Sequence, residues 1–241
     1  LVTDAMNSLL EFMEAVVPIY TLSVGFAAGS SSAASFYSII TILIVIIQKL
    51  LCDFIIPMIY IYMVFNFINN ITEENVFTRI CELLKTVIEW ILKALLSCVI
   101  GMNIIQSMIN PVMDSLKTSA LGKEASMIPG VGGVLTSVSG LVLGSGTLIK
   151  NSIGMASMIA VIVLCFIPVI KAVAMSIGYK FAGAMLEPVS DKRISNAVNG
   201  IYESIVLLAK TLLYGVVFFL LTMAIVCYST NRTVRDDGVS Y

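Results

Sequence analysis

The chain has 241 residues, of which 59% are hydrophobic and 12% charged, and its formal net charge is −1. Soluble domains carry about 25% charged residues, so this chain has too little polar surface for water, and lipid is its expected solvent. The charge balance removes the electrostatic case for nucleic acid. The sequence has no histidine, which is the commonest general base and metal ligand. We expect an all-α polytopic membrane protein with neither a metal site nor a cofactor.

The amino-terminal part predicts two spans. Residues 15–48 contain no Asp, Glu, Lys or Arg. We place the first span at about 11–28 and the second from near Ser35. The second apolar segment continues to Ile68, which is roughly 50 Å of helix against a hydrocarbon core of about 30 Å. A break is expected at Pro57, because proline lacks the N–H and clashes with the preceding turn.

A third helix is predicted from Val76, where apolar residues recur with the helical period. We expect it to be amphipathic and to lie at the membrane interface, with Thr72 and Asn75 as candidate amino-terminal caps. It leads into an uncharged apolar stretch. Asn103 and Asn110 fall on roughly one face of that stretch, so this face should point into protein or a wet cavity.

Residues 114–124 are charged and predict a short aqueous loop, and a glycine-rich segment follows at 125–149. This segment is apolar but a poor continuous helix, since each glycine costs about 1 kcal/mol relative to alanine. A re-entrant hairpin with its bend near 129–133 or 144–146 fits it best. The alternative is a plain glycine-rich helix that packs closely against its neighbours. The candidate residues here are Pro129, Gly130, Gly132 and Gly133.

The carboxyl-terminal part predicts two more helices. An uncharged span at 152–170 continues past Pro168 towards Leu186, and a water-facing turn follows. The last helix should begin near Ser195 and include an uncharged span at 211–231.

The two halves of the chain resemble each other. Each has an apolar helix that reaches a proline, then a polar turn, then a partly charged helix, with Lys93 and Lys210 at matching places. We predict one transmembrane domain over residues 1–241, with degenerate half-repeats at 35–113 and 150–231 joined by the glycine-rich segment 125–149, and the alternative to a repeat is a chance similarity of Leu-rich helices. Transporters commonly place their site at such a repeat interface, on broken helices.

Lys150, Asn151 and Lys171 are the remaining candidate site residues. An ionisable group beside an apolar run is a functional hypothesis by default. The alternative for Lys171 is snorkelling, with the ammonium at the headgroups. We expect no enzyme: the HExxH and P-loop patterns are absent, and the serines have no histidine base, although a Ser–Lys pair stays open.

Four stretches, in this order and spacing, resemble the stage III sporulation protein AE family of endospore-forming bacteria. They are Pro129-Gly130-Val131-Gly132-Gly133, Leu148-Ile149-Lys150-Asn151-Ser152-Ile153-Gly154, Pro168-Val169-Ile170-Lys171, and Tyr179-Lys180-Phe181-Ala182-Gly183-Ala184 with Pro188. The hydropathy outline agrees over nearly the whole chain. No catalytic residues are assigned in that family, so none are carried over.

The resemblance implies a multi-pass component of a secretion-like channel that joins mother cell and forespore, as conduit or membrane scaffold. It would lie in the mother-cell-derived membrane around the forespore. Its expected partners are other stage III sporulation membrane proteins, an associated ATPase and ring-forming channel proteins, and it could also form a homo-oligomer. The alternatives are a stand-alone secondary transporter, which the repeat favours, and a purely structural assembly factor.

Overall fold

The computed structural model describes residues 1–28, 31–72, 76–125, 132–188 and 190–236, and within these ranges it contains helices and turns but no strand. The helices are α1 Val2–Ala28, α2 Ser31–Leu50, α3 Ile56–Ile71, α4 Thr78–Ala125, α5 Gly132–Leu186 and α6 Lys192–Asp236, with a π-helical turn at Leu51–Ile55 between α2 and α3. The predicted all-α fold is confirmed.

In the part of the chain that the structure describes, four segments are long and apolar enough to cross a membrane, and they lie at Val2–Gly25, Ile39–Ile71, Gly144–Leu186 and Lys192–Ala224. Helix α5 has 55 residues, or roughly 80 Å at 1.5 Å per residue, which is well over the thickness of the hydrocarbon core. Helices of this number and composition fit a multi-pass membrane protein, as the sequence predicts.

The break predicted at Pro57 takes the form of a change in helical winding. Pro57 is the second residue of α3, directly after the π-helical turn. A proline removes one N–H donor and crowds the carbonyl of the preceding turn, and the wider π-turn relieves both conflicts without ending the helix. The long apolar segment therefore stays helical on both sides of Pro57.

The glycine-rich segment is helical wherever the structure describes it. Helix α5 begins at Gly132 and runs unbroken through 144–146, so the predicted bend at 144–146 is wrong. The other predicted bend, near 129–133, lies largely outside the described residues. In lipid the backbone must satisfy its own hydrogen bonds, and this outweighs the intrinsic helical cost of glycine.

The aqueous loop predicted at 114–124 is also wrong, because α4 continues through it to Ala125. Six of its eleven residues are Leu, Lys, Ala or Glu, which are good helix formers. Charge shows where a helix can meet water, but it does not end the helix.

Thr72 does not cap α4, and the other candidate cap, Asn75, lies outside the described residues. The Thr72 hydroxyl donates to the carbonyl of Ile68 at 2.8 Å and so closes the end of α3. The start of α4 is held by Asn69 instead. The Asn69 side-chain oxygen accepts the backbone N–H of Phe77 at 2.9 Å, and its amide donates to the Thr78 hydroxyl at 3.0 Å.

The chain divides into two compact units. The first comprises residues 1–11, 46–97 and 161–218, and its fully buried side chains include Ile55, Ile59, Ile88 and Phe218. The second comprises residues 12–45, 98–160 and 219–241, and its core includes Met13, Tyr20, Phe219 and Val226. The half-repeats and the single transmembrane domain stay predictions.

Candidate functional site

Lys150 belongs to the second unit, is fully buried and lies in the apolar segment Gly144–Leu186 of α5. Its ammonium donates to the backbone carbonyl of Val226 at 3.1 Å and lies 3.5 Å from the carbonyl of Cys227. Among the described residues no carboxylate comes within ion-pair distance of it. Removing an ammonium from water costs several kcal/mol, and two neutral carbonyls offset only part of that cost.

A glycine lets α6 approach Lys150 this closely. Gly154 lies one turn after Lys150 on α5, and a Cβ there would overlap the Cys227 sulfur and come within 3.3 Å of the Tyr20 ring. The Tyr20 hydroxyl lies 3.4 Å from the same sulfur. We call Lys150, Asn151, Gly154, Tyr20 and the Val226 and Cys227 backbone the Lys150 site. The missing side chain at Gly154 brings the α6 carbonyls within reach of the ammonium.

Asn151 adds an unpaired acceptor to the site. Its side-chain oxygen is buried and has no hydrogen-bond partner in the described part of the chain. Such a group costs about 1–3 kcal/mol, and native proteins contain few of them. The site thus combines a buried cation with an unpaired carbonyl oxygen on the next residue of the chain.

The other predicted site residues differ in position. Lys171 is exposed on α5, and its snorkelling to the headgroups stays a prediction. Gly132 and Gly133 are the first two residues of α5. Positions 103 and 110 belong to α4, but the side chains of Asn103 and Asn110 are not among those that the structure describes. Pro129 and Gly130 lie outside the described residues.

The predictions from the sequence did not include a second polar cluster, which lies in the first unit. One carboxylate oxygen of Glu203 accepts a hydrogen bond from the Lys85 ammonium and another from the Tyr62 hydroxyl, both at 2.9 Å. The amide of Asn66 donates to the Tyr62 hydroxyl at 3.1 Å, and the amide of Asn70 donates to the Asn66 side-chain oxygen at 2.9 Å. We call these five residues the Glu203 cluster.

A sequence signal for this cluster did exist. Positions 62, 66 and 70 are four residues apart and so share one face of α3. Three polar side chains in a row on an apolar span predict a buried partner. Only the structure shows that this partner is a carboxylate on α6, 141 residues after Tyr62 in the chain.

The lysines at matching places in the two predicted half-repeats approach the same carboxylate. Lys210 lies 3.4 Å from Glu89 and Lys93 lies 3.9 Å from it. All three side chains are at least partly exposed, so this is a surface network with little stabilising effect.

Comparison with known proteins identifies a family. The family model described as stage III sporulation protein AE matches residues 1–230. A curated protein of Bacillus subtilis (strain 168), also named stage III sporulation protein AE, is 23% identical over 233 residues. The match covers 96% of this chain and 58% of that relative, so the chain spans less than two thirds of the relative's length. No solved structure matches the chain.

The family model covers all four candidate spans and the Lys150 site. The four stretches that carry the sequence resemblance also lie inside the matched region. The chain is therefore a member of the stage III sporulation protein AE family.

Proposed function

We propose that the chain is a multi-pass membrane component of a channel between mother cell and forespore, serving as its conduit or its membrane scaffold. It would lie in the mother-cell-derived membrane around the forespore. It would work in a complex with other stage III sporulation membrane proteins, an ATPase and ring-forming channel proteins. In this role it is not an enzyme.

The observation that carries the proposal is the burial of Lys150 in an apolar span without a carboxylate partner among the described residues. A lysine that only anchors a helix extends to the headgroups, whereas this ammonium is directed at backbone carbonyls. Ionisable groups kept inside the membrane characteristically mark transport pathways or contacts. A helix that only anchored the chain in lipid would not require a buried lysine.

A scaffold role has its own support. Only 22% of the apolar stretch within Gly144–Leu186 is buried by the rest of the chain. The rest of this surface is available to lipid and to neighbouring membrane proteins. A scaffold needs such lateral surface, and a conduit needs a polar path, so the two roles make different predictions for the segment around Lys150.

Replacing Lys150 by methionine in sporulating cells tests the proposal. The change keeps the length of the side chain and removes its charge. We expect fewer heat-resistant spores and weaker late forespore gene expression at an unchanged level of the protein. Lys171→Met is the matched control on the same helix and should sporulate normally. Normal sporulation of Lys150→Met at equal protein level would refute the role of the buried lysine.

Cysteine accessibility separates the conduit from the scaffold. Single cysteines are placed at each position from 144 to 151 in a cysteine-free version, and sporulating cells are treated with a membrane-impermeant maleimide. Labelling at positions around Lys150 would support a water-lined conduit. Protection of the whole segment, with labelling restored by detergent, would favour the scaffold.

A further inference from the structure

A shallow groove of about 340 Å³ runs between α5 and α6 in the first unit. Its walls are apolar side chains of both helices, and two lysines border it. Its lining includes Val173, Ile177 and Lys180 on α5 and Tyr202, Val206, Lys210 and Leu213 on α6. We call this surface the α5–α6 groove.

The positive charge in the groove is only partly compensated. Lys210 lies 3.4 Å from Glu89 and is therefore paired. Lys180 lies 5.5 Å from the centroid of the Tyr202 ring, and no described carboxylate lies within ion-pair distance of it. The ring face attracts the ammonium but does not neutralise it. The groove therefore has apolar walls and a net cation at Lys180.

The groove also lies where lipid headgroups are expected. The candidate span on α5 extends to Leu186 and the one on α6 begins at Lys192, and at 43 and 33 residues both are longer than the roughly 20 residues that cross the hydrocarbon core, so their ends reach the headgroup layer. Only a short connection separates the end of α5 at Leu186 from the start of α6 at Lys192, so these ends lie on the same side. Lys180 and Tyr202 lie near these ends of the two spans. Tyrosine and lysine are the residues typical of that interfacial layer.

We propose that the α5–α6 groove binds an anionic phospholipid of the surrounding bilayer. The acyl chain lies along Val173, Ile177, Val206 and Leu213, and the headgroup phosphate faces Lys180. Basic pockets between spanning helices bind anionic headgroups in this way. A choline headgroup carries its own cation and would gain less from Lys180, so the site should prefer the anionic lipid.

The size of the preference follows from the charge. A lysine near a membrane surface contributes about 1 kcal/mol towards anionic lipid, which corresponds to roughly a fivefold preference. The preference should fall with added salt, because screening weakens exposed ion pairs.

Tryptophan quenching by brominated lipids tests this directly. Trp90 is the single tryptophan and is largely exposed, so Trp90→Phe gives a silent background. Tyr202→Trp then reports from the groove and keeps an aromatic face under Lys180. The full chain is reconstituted in vesicles of phosphatidylcholine with brominated phosphatidylglycerol or brominated phosphatidylcholine at equal fractions. We expect the quenching to report roughly fivefold tighter binding of the anionic lipid.

Two controls distinguish the groove from the general charge of the protein surface. Lys180→Gln should abolish the preference, whereas Lys171→Gln, on the same helix but outside the groove, should retain it. With Phe166→Trp as the reporter at an exposed position outside the groove, both lipids should quench equally. Equal quenching of the Tyr202→Trp reporter with Lys180 present, or a preference that survives Lys180→Gln, would overturn the proposal.

Native mass spectrometry provides a second measurement that needs no reporter. The wild-type chain should retain bound phosphatidylglycerol that Lys180→Gln loses and Lys171→Gln keeps. Equal retention of lipid by all three proteins would contradict the proposal. This test is independent of the channel function, because it concerns the purified protein and lipid alone.

Discussion

Gln48 on α2 donates its side-chain amide to the backbone carbonyl of Gly215 on α6 at 2.5 Å. Gln48 is fully buried, and its side-chain oxygen has no partner among the described residues. The contact depends on the missing side chain at 215, since a Cβ there would lie 2.9 Å from the Gln48 oxygen and 3.2 Å from Met6. Within the first unit, a glycine and a buried amide together hold α2 against α6.

Gly215→Ala should destabilise the protein by about 1–2 kcal/mol, because the added methyl overpacks a contact whose partners are buried. The measurement is unfolding in mixed micelles by titration with a denaturing detergent. Gly178→Ala is the matched control, because nothing lies within 4 Å of a Cβ there. The control should be neutral or stabilising by up to about 1 kcal/mol, since alanine is the better helix former. Equal midpoints for the two variants would contradict the packing argument.

Tyr62→Phe should cost about 1–2 kcal/mol. The hydroxyl is largely buried, donates to Glu203 and accepts from Asn66, so its removal breaks two hydrogen bonds and leaves the partly buried Asn66 amide unpaired. Tyr60→Phe is the control, because the Tyr60 hydroxyl pairs with Thr3 at an exposed position. The control should change stability by less than about 0.5 kcal/mol. A Tyr62→Phe protein as stable as the control would show that the Glu203 cluster is not cooperative.

The Lys85–Glu203 pair should show a measurable coupling energy in a double-mutant cycle with Lys85→Met and Glu203→Gln. The two charged groups lie 2.9 Å apart and are 40% and 44% exposed, and Tyr62 orients the same carboxylate oxygen. We expect a coupling of about 1 kcal/mol. The comparison is the Lys93–Glu89 pair, 3.9 Å apart with the lysine 71% exposed, where the coupling should be about 0.3 kcal/mol. Similar couplings for both pairs would remove the special role of Glu203.

Cys81 should react with maleimide severalfold more slowly than Cys98 when each is the sole cysteine of the folded protein. Cys81 is buried and Cys98 exposed, and burial also raises the pKa of the Cys81 thiol above its usual value. A raised pKa leaves less of the reactive thiolate at a given pH, so the rate at Cys81 should keep rising to a higher pH than an ordinary thiol would show. Unfolding should bring the two rates together. A fast reaction of Cys81 in the folded protein would place it outside the core.

The helical, membrane-spanning character of the chain could be predicted from composition and apolar run length. These features report which solvent surrounds the chain, and lipid permits helices that satisfy their own backbone hydrogen bonds. The perturbation at Pro57 was also predictable, because it follows from the covalent structure of proline. The loop at 114–124 was predicted wrongly, since polarity was taken to end a helix that good helix formers continue.

The candidate site shows the limit of the sequence. Lys150 and Lys171 both lie beside an apolar run on the same helix, and the sequence offers snorkelling as the alternative for Lys171 but does not show which of the two side chains is buried. In the structure Lys150 is buried against the α6 carbonyls, because Gly154 admits α6 one turn later, whereas Lys171 is exposed. Likewise Glu203 meets Tyr62 and Lys85 only when three helices pack together.

The sequence by itself determined the solvent of this protein, its helical content and its family, because composition, period and motif order are properties of the chain. Only the tertiary structure decided which polar side chains are buried and which partners they have. Burial depends on which face of each helix meets a neighbour, and small residues such as Gly154 and Gly215 set that contact through the close approach they allow.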